Sequence, residues 1–596
     1  MEENFKFKVN LGGMIDILSN HLYSSPDVFV RELMQNGVDA ISARLEYDKA
    51  FEKKDARIEI EVDEKHRILF RDSGTGLTEE EIHEFLAVIG QSSKYDVESA
   101  HSTGDFIGRF GIGLLSCFMV TDSICVRTRS YRTPQKVLQW QGCADGTYTI
   151  SEISYEMPIG TEIVIENNKL DSDEKTENYF TAAEIENLVF YYGLFLQYPI
   201  FIKNSDGFSQ LNHRFELDAD NNKQACLNAG QVLLGEQFLD CFSLRSPSGL
   251  FEGVAYVIPY PVSANVHNMH RIYLKNMLLT ENGEKLLPEW SFFLKCIINT
   301  TGLRPTSSRE DFYLDEQLDK ARDEIADCIA YYLETLDQTN KDLLHEIVGI
   351  HNLAVKSVIA STYTLDDILL PYIAFETSLG AMTGKQICEY GGNAYYTLDV
   401  NQFKQLAPLY TQRNYLLINA GYVYENIIMN KLSHNSDKTF IDKLTDNDID
   451  FMLDDSDFEG TETADRLCRL ANQVLMKYDC KAVLKEFEPF SIPALYTVNE
   501  KADEVRKIQR AMQDANDVFM GMLSAFQTEV AAEARTCLYL NTNNMIIRKM
   551  LSTEDKDRLC CYIEILYVQA LLSGHFPLLN NEMQVLNENL CRLMEF

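Results

Sequence analysis

The chain has 596 residues, 45% of them hydrophobic, which is enough apolar material for several cores and predicts three or four domains. Its 54 lysines and arginines face 90 aspartates and glutamates, and a formal net charge of -36 excludes the nucleic-acid backbone as a main partner. No apolar run of about 18 residues predicts a membrane span, and no secretory leader is expected. The 14 cysteines lack a C-x-x-C pair and are typical of a reduced, cytoplasmic protein.

The first predicted elements are helices at 13–23 and 26–48. In the second helix, Glu32, Asn36 and Asp39 follow at steps of four and three residues, so they share one face. Apolar and small residues make an adjacent face that can pack on a sheet. An acid, an amide and a second acid could therefore face one cavity, although a surface helix with scattered polar groups explains the same residues.

Alternating residues at 57–62 and 67–71 then predict a β-hairpin, whose second strand runs into Asp72-Ser-Gly-Thr-Gly-Leu77. The glycines permit close approach of a ligand. A buried Asp72 carboxylate could accept a hydrogen bond from an exocyclic amine such as adenine N6. Guanine presents a carbonyl oxygen at that edge, and two facing acceptors would cost about 1–3 kcal/mol. The same D-x-G-x-G pattern also occurs in ordinary turns.

Thr78 is predicted to cap a short acidic helix, and the polar, irregular residues 90–103 predict a lid-like loop. Gly108-x-x-Gly-x-Gly113 follows and opens an apolar helix over 114–120. Backbone N–H groups at such a turn can cradle phosphates. The spacing is neither that of the P-loop nor that of the dinucleotide fingerprint, so this motif alone is a weak signal.

Strands near 122–129, 136–141, 146–152 and 161–166, followed by a helix at 182–197, complete the N-terminal part. Helices before a mostly antiparallel sheet predict a two-layer α/β sandwich. An α/β block is predicted at 364–434, and mainly helical segments follow from 462.

Two further patterns receive structural interpretations. His267-x-x-His270 lacks another metal ligand at a standard spacing, so a structural role is favoured over a metal site. The acidic run at 445–460 is interpreted as a solvated linker. It is not a calcium loop, because Phe451 stands where the glycine of such a loop is needed.

The order of these motifs, ending with Gly160-Thr161 at the start of a strand, resembles the nucleotide site shared by gyrase, the heat shock protein 90 chaperones, histidine kinases and MutL. LYSSPDVFVRELMQNGVDA, DSGTGL and IGRFGIGLLSCFMV are similar to three motifs of the heat shock protein 90 family. LLPEWSFFLKCII and TGLRPTSSREDF resemble its middle domain. RTCLYLNTNNMIIRKML and LYVQALLSGHFPL resemble its C-terminal domain, particularly in the short bacterial form.

This resemblance implies an α/β protein with a Bergerat-type ATPase sandwich at 1–205, an α/β middle domain at 206–440 and a mainly α-helical dimerisation domain at 441–596. In this family Glu32 would orient the attacking water, and Arg309 would stabilise charge at the γ-phosphate. The resemblance further implies an ATP site with Mg²⁺ on Asn36. The other implied ATP-binding residues are Asp39, Asp72, Gly74, Gly76, Leu77, Leu86, Ser92, Gly108, Arg109, Phe110, Gly111, Ile112, Gly113 and Thr161.

Four positions depart from the family pattern: Phe85 stands for an asparagine, Gln91 for a lysine, Leu114 for an aromatic residue and Thr306 for an asparagine. Nucleotide affinity is therefore expected to differ from that of the family. A surface ion pair of Arg309 with Glu310 or Asp311 stays an alternative to its catalytic role.

The implied function is that of a cytoplasmic, magnesium-dependent ATPase chaperone, a homodimer that clamps client proteins. The chain ends RLMEF rather than M-E-E-V-D, so co-chaperones that bind that tail are not expected. One alternative is a nucleotide-gated scaffold with little hydrolysis, which Phe85 and Gln91 favour and Glu32 and Arg309 oppose. A DNA-processing relative of MutL or gyrase is disfavoured by the negative charge.

Overall fold

The structure is a computed structural model. Some predicted elements lie outside the residues that it describes, among them the helix at 13–23, the loop at 90–103 and residues 108–112. The described residues fall into two compact units, which divide after Leu336. The predicted domain limits at 205 and 440 stay predictions. The described residues are 25–86, 113–166, 181–204, 207–212, 215–306, 308–514 and 535–595.

The first unit is built on an eight-stranded sheet. Its strands are β1 (Ile58–Val62), β2 (Arg67–Asp72), β3 (Ser123–Arg129), β4 (Leu138–Cys143), β5 (Tyr148–Glu152), β6 (Gly160–Glu166), β7 (Ile200–Asn204) and β8 (Gly207–Gln210). Their order is β5-β4-β3-β6-β2-β1-β7-β8. Only β1 and β7 pair in parallel, so the predicted, mostly antiparallel sheet is confirmed.

A second sheet of this unit has five strands in the order β12-β11-β13-β10-β9. These are β9 (Asp240–Arg245), β10 (Phe251–Val257), β11 (Met269–Leu274), β12 (Met277–Asn282) and β13 (Leu294–Thr300). The helices introduced with this unit are α1 (Val28–Tyr47), α2 (Glu79–Glu81), α3 (Ala182–Gly193), α4 (Lys223–Leu234) and α5 (Glu316–Thr339).

Helix α1 packs its apolar face on the first sheet. Phe29, Leu33 and Ile41 are at most 1% exposed and belong to the same core as Ile58 of β1. A methyl group at Gly37 would lie 3.1 Å from Ile58 Cδ1, so the small residue lets the helix lie close to the strand. Burying each such large apolar side chain stabilises the fold by roughly 1.5–3 kcal/mol.

Helix α1 begins without a side-chain cap. Asp27 occupies the cap position, but its side chain makes no capping bond. Its Oδ2 instead accepts a hydrogen bond from Tyr192 Oη at 3.2 Å. Thr78, by contrast, forms the predicted capping box with Glu81.

The second unit contains a five-stranded sheet in the order β15-β14-β17-β16-β18 and a four-stranded sheet in the order β19-β20-β22-β21. Its strands are β14 (Ala374–Thr377), β15 (Gly380–Thr383), β16 (Gly392–Thr397), β17 (Leu416–Asn419), β18 (Thr439–Lys443), β19 (Asp454–Asp455), β20 (Cys480–Glu486), β21 (Ala494–Val498) and β22 (Thr536–Asn541). Its helices are α6 (Lys341–Ile350), α7 (Asn352–Ser361), α8 (Asp366–Leu369), α9 (Gly384–Glu389), α10 (Val400–Gln412), α11 (Glu425–Asn435), α12 (Asp446–Phe451), α13 (Glu462–Leu475), α14 (Glu500–Asp514), α15 (Met545–Leu551), α16 (Lys556–Ser573) and α17 (Asn580–Glu595).

The mixed α/β fold class is confirmed, with two differences in the C-terminal third. The acidic run at 445–460 is not a linker, because α12 and β19 lie within it and Ile449 and Leu453 are buried. The four-stranded sheet was not predicted among the helices. All five residues of β21 are buried, so this strand lacks the alternation that marks a half-exposed strand.

His270 is a core residue. Its Nδ1 accepts a hydrogen bond from the Cys296 N–H at 3.2 Å, and burial lowers its pKa to about 4. Within the described ranges, no group of three or more His, Cys, Asp or Glu residues could hold a metal ion. No single described helix has the length and composition of a membrane span; α6 and α7 reach them only together, across a 90° bend.

Candidate nucleotide site

Helix α1 carries its three predicted polar residues in two different environments. Glu32 and Asp39 are each 2% exposed, whereas Asn36 is exposed. The two acids therefore lie inside the protein, and the amide lies at the surface. An exposed amide oxygen is accessible to a cation, while a buried carboxylate needs partners of its own.

Glu32 has its partner in a distant part of the chain. Its Oε2 accepts a hydrogen bond from Arg309 Nη1 at 2.9 Å, and its Oε1 accepts one from Arg31 Nη2 at 3.2 Å. Arg309 Nη1 also donates to Gln35 Oε1. The side chains of Glu32 and Arg309 are 2% and 10% exposed, so this is a buried ion pair.

Arg31 fastens the backbone around Arg309 to helix α1. Its Nη1 donates to the Arg309 carbonyl oxygen at 3.0 Å, and its Nη2 donates to that of Ser308 at 2.9 Å. Arg309 itself has a φ of +55°, a left-handed conformation that is uncommon outside glycine. Of the two residues named for the alternative surface ion pair of Arg309, Asp311 pairs with Lys285 at 2.5 Å and not with Arg309.

Asp72 ends strand β2, opposite Thr161 of β6. Its Oδ1 accepts a hydrogen bond from the Gly74 N–H at 2.8 Å. Burial of the carboxyl group raises its pKa to about 7, although backbone hydrogen bonds from Gly74 and Thr161 and the charge of Arg44 oppose that rise. The residue as a whole is partly exposed, although its carboxyl group is buried.

The glycines after Asp72 allow the turn to pack closely on the rest of the protein. A methyl group at Gly74 would overlap Ala40 of α1 and lie 2.7 Å from Asp72 Oδ1. Gly76 has a φ of +62°, and a methyl group there would overlap the Arg129 carbonyl group. The first part of this turn therefore touches α1, and the second part touches β3.

The remaining predicted ATP-binding residues are only partly described. Gly113 begins a 3-10 turn, Gly113–Met119, where an α-helix was predicted, and a methyl group on it would lie 2.6 Å from Glu32 Oε2. Leu77, Leu86 and Leu114 are partly buried against the core. Six predicted residues lie outside the described ranges: Ser92, Gly108, Arg109, Phe110, Gly111 and Ile112.

The site has incomplete hydrogen bonding of its own. Gln35 Nε2 and Arg31 Nε are buried and have no partner in the part of the chain that the structure describes. Orphaned buried donors are rare in proteins and often mark the place of a missing ligand or a strained site. Donors beside an exposed amide fit an anion bound with a cation, as in magnesium-ATP. The Asp72 carboxyl group, when ionised, is an acceptor that fits the adenine amine.

Comparison with known proteins agrees with this geometry. The family model described as "Histidine kinase-, DNA gyrase B-, and HSP90-like ATPase" matches residues 23–171. "Chaperone protein HtpG" of Alkaliphilus metalliredigens is 24% identical over 99% of both chains. The proteins of the same name from Clostridium perfringens and Bacillus licheniformis are each 23% identical, over 100% and 99% of both chains. The chain is a distant member of the heat shock protein 90 family.

In this member of the heat shock protein 90 family, Arg31 and Gln35 belong to the site but were missed by sequence reasoning. Both are at most 3% exposed, and both contact Arg309. The sequence contained one indication of their role. Arg31 and Gln35 each directly precede a predicted site residue, so α1 has more polar residues than a single solvent-facing stripe needs. That excess indicates buried polar contacts, but it does not reveal the partner.

Proposed function

We propose that this chain is an ATP-dependent molecular chaperone of the cytoplasm, a homodimer that clamps client proteins through cycles of ATP binding and hydrolysis. The observation that carries the proposal is the presence of two features in the first unit. One is the buried Asp72 carboxyl group at the end of β2, and the other is the buried cluster of Glu32 on α1 with Arg309. The family membership and the ATPase-type domain support it.

At the adenine end, the ionised Asp72 carboxylate would accept a hydrogen bond from the N6 amine of ATP, with Thr161 beside it in the sheet. Asn36 would offer its amide oxygen to Mg²⁺, a hard cation that prefers oxygen ligands. Bound Mg²⁺ would neutralise charge on the phosphates. These two residues bind and orient the nucleotide.

At the phosphate end, Glu32 would orient the attacking water and accept its proton. In the described arrangement each oxygen of Glu32 accepts one hydrogen bond from an arginine, which takes up part of the carboxylate's capacity to hold a water molecule. We infer that Arg309 leaves Glu32 and turns towards the γ-phosphate before hydrolysis. The Glu32–Arg309 pair is thus interpreted as the resting state of the site.

The predicted homodimer has support in the last helix. On α17, Met583 and Leu590 are each 48% exposed and lie seven residues apart, so they share one face. Leu572 near the end of α16 is 50% exposed. A second copy of the chain would remove these apolar side chains from water.

A nucleotide-gated scaffold that hydrolyses little ATP is the second candidate. The observation that favours it is the same ion pair, since a permanent Glu32–Arg309 contact would keep both groups from the phosphate. The net charge of -36 continues to disfavour a DNA-processing role.

Single-turnover hydrolysis, measured together with ATP calorimetry, separates the two candidates. Glu32→Gln keeps the shape of the side chain and should bind ATP but hydrolyse it about 100-fold or more slowly. Glu46→Gln, an exposed acid at the end of the same helix, is the matched control and should behave as wild type. Equal rates for wild type and Glu32→Gln would remove the catalytic assignment, and ATP binding without turnover in wild type would favour the scaffold.

A further inference from the structure

The second unit contains a cavity of about 1450 Å³ at the carboxyl ends of three parallel strands. Strand β16 lies between β17 and β18 and pairs with both in parallel. Residues that directly follow each of the three strands line the cavity: Leu398 follows β16, Gly421 comes shortly after β17, and Leu444 follows β18.

The chain reverses its direction across the sheet at this point. From β16 it passes through α10 to β17 on one side, and from β17 it passes through α11 to β18 on the other side of β16. In open α/β sheets, ligands bind at such a switch point, in the crevice outside the carboxyl ends of the strands, because the connecting segments diverge there. The topology alone therefore marks this cavity as a candidate ligand site.

The side chains that line the cavity carry an excess of positive charge. Five lysine and arginine residues line the cavity against three carboxylates, although carboxylates far outnumber them in the whole chain. The local sign of charge is thus the reverse of the chain's. These residues are Lys443, Lys501, Arg506, Lys507 and Arg510, with Asp399, Asp503 and Glu504.

Two of the lining side chains, Arg510 and Thr497, have hydrogen-bond donors without a partner in the described part of the chain. Arg506 is paired with Glu582 at 2.7 Å, but the exposed Arg510 has no hydrogen bond or ion pair with any described residue. Thr497 is 7% exposed as a whole residue, and its hydroxyl group has no hydrogen bond to any described residue. Because Thr497 lines the cavity, this hydroxyl group can bond a ligand oxygen there.

We propose that this cavity binds a small molecule with two or more phosphate groups, held by the guanidinium group of Arg510 and the hydroxyl group of Thr497. The planar guanidinium matches phosphate oxygens with paired hydrogen bonds. The cavity exceeds the roughly 300–1,000 Å³ that small-molecule sites usually occupy, so such a ligand fits with part of its hydration. The site is built from residues 397–577, none of which belongs to the nucleotide site on α1, and the proposal goes beyond the ATPase function.

Calorimetry of the full chain with inorganic tripolyphosphate tests the proposal. Arg510→Glu should weaken binding at least about tenfold, because an ionic hydrogen bond is replaced by repulsion. Thr497→Val removes the hydroxyl group at constant shape and should weaken it about threefold. Arg469→Ala, a change of an exposed arginine of the same unit outside the cavity, is the control and should leave the affinity unchanged.

Citrate, a tricarboxylate, distinguishes phosphate recognition from general attraction of anions. The proposal is overturned if citrate binds as tightly, if no saturable heat is seen, or if neither Arg510→Glu nor Thr497→Val weakens binding. Equal weakening by Arg469→Ala also overturns it. Asp72→Asn separates the two sites: it should abolish ATP binding yet keep the heat that Arg510→Glu removes, and loss of that heat would overturn the cavity assignment.

Discussion

The buried pair of Glu32 and Arg309 can be measured by a double-mutant cycle. The two changes are Glu32→Gln, which removes the carboxylate charge, and Arg309→Met, which removes the guanidinium group at similar length. Glu32 also holds Arg31, so Glu32→Gln leaves two guanidinium groups, 3% and 10% exposed, without a counter-charge.

Removing one partner of a buried ion pair costs about 3–5 kcal/mol, because the other charge stays buried and unpaired. We expect Glu32→Gln to lower the free energy of unfolding by an amount in this range. Arg309→Met should cost less, about 3 kcal/mol, since Arg31 still neutralises the carboxylate. The double variant leaves only Arg31 uncompensated and should cost about 1–3 kcal/mol less than the sum of the single changes.

Urea unfolding followed by tryptophan fluorescence is the assay. The two tryptophans of the chain, Trp140 and Trp290, both lie in the first unit, so their signal reports on the unit that contains the pair. Additive effects, within about 0.5 kcal/mol, would refute the reasoning, because they would mean that the two side chains do not interact in solution.

Four further predictions concern the same site. The pKa of Asp72 is raised to about 7, so the fraction ionised falls below that pH, and adenosine should bind about tenfold more weakly at pH 6 than at pH 8 by calorimetry; a flat profile would contradict this. Because this folded-state pKa lies above the usual 3.8, the carboxyl group's contribution to stability is lost as the pH rises from about 4 to 7, a dependence that Asp72→Asn should remove from urea unfolding curves. Gly74→Ala should lower the unfolding free energy by about 1–3 kcal/mol in the fluorescence assay, because its methyl group overlaps Ala40; wild-type stability would show that the turn can shift. Gln35→Ala should speed single-turnover hydrolysis roughly threefold to tenfold by weakening the resting contact with Arg309, and slower hydrolysis would place Gln35 in the reaction itself.

Local sequence patterns predicted the elements around the site well. Helix α1 was expected at 26–48 and is found at Val28–Tyr47, and the hairpin before Asp72 is found within one residue of its expected ends. In both cases the period of apolar residues reports directly on the face that packs in the core. The position of Asp72 at the end of its strand follows from the same local pattern of strand and turn.

The partner of Glu32 could not be found from local pattern. Arg309 lies 277 positions away, and its neighbours Glu310 and Asp311 offered a surface ion pair as an alternative. In the structure Asp311 pairs with Lys285 instead. Contacts of this sequence separation depend on how the two sheets of the first unit meet, which no periodicity encodes.

The cluster on α1 also explains why a resting ion pair does not make the site inert. Arg31 and Arg309 bring two positive charges to the single carboxylate of Glu32, and Gln35 adds an unpartnered buried amide N–H group. A buried excess charge is costly until an anion compensates it. A γ-phosphate would supply that anion and compete with Glu32 for Arg309, which frees the carboxylate for water. Magnesium-ATP should therefore stabilise the first unit in tryptophan-monitored unfolding more than adenosine does at equal concentration, because the phosphate contacts lower its dissociation constant, and equal stabilisation would show that the arginines do not sense the phosphate.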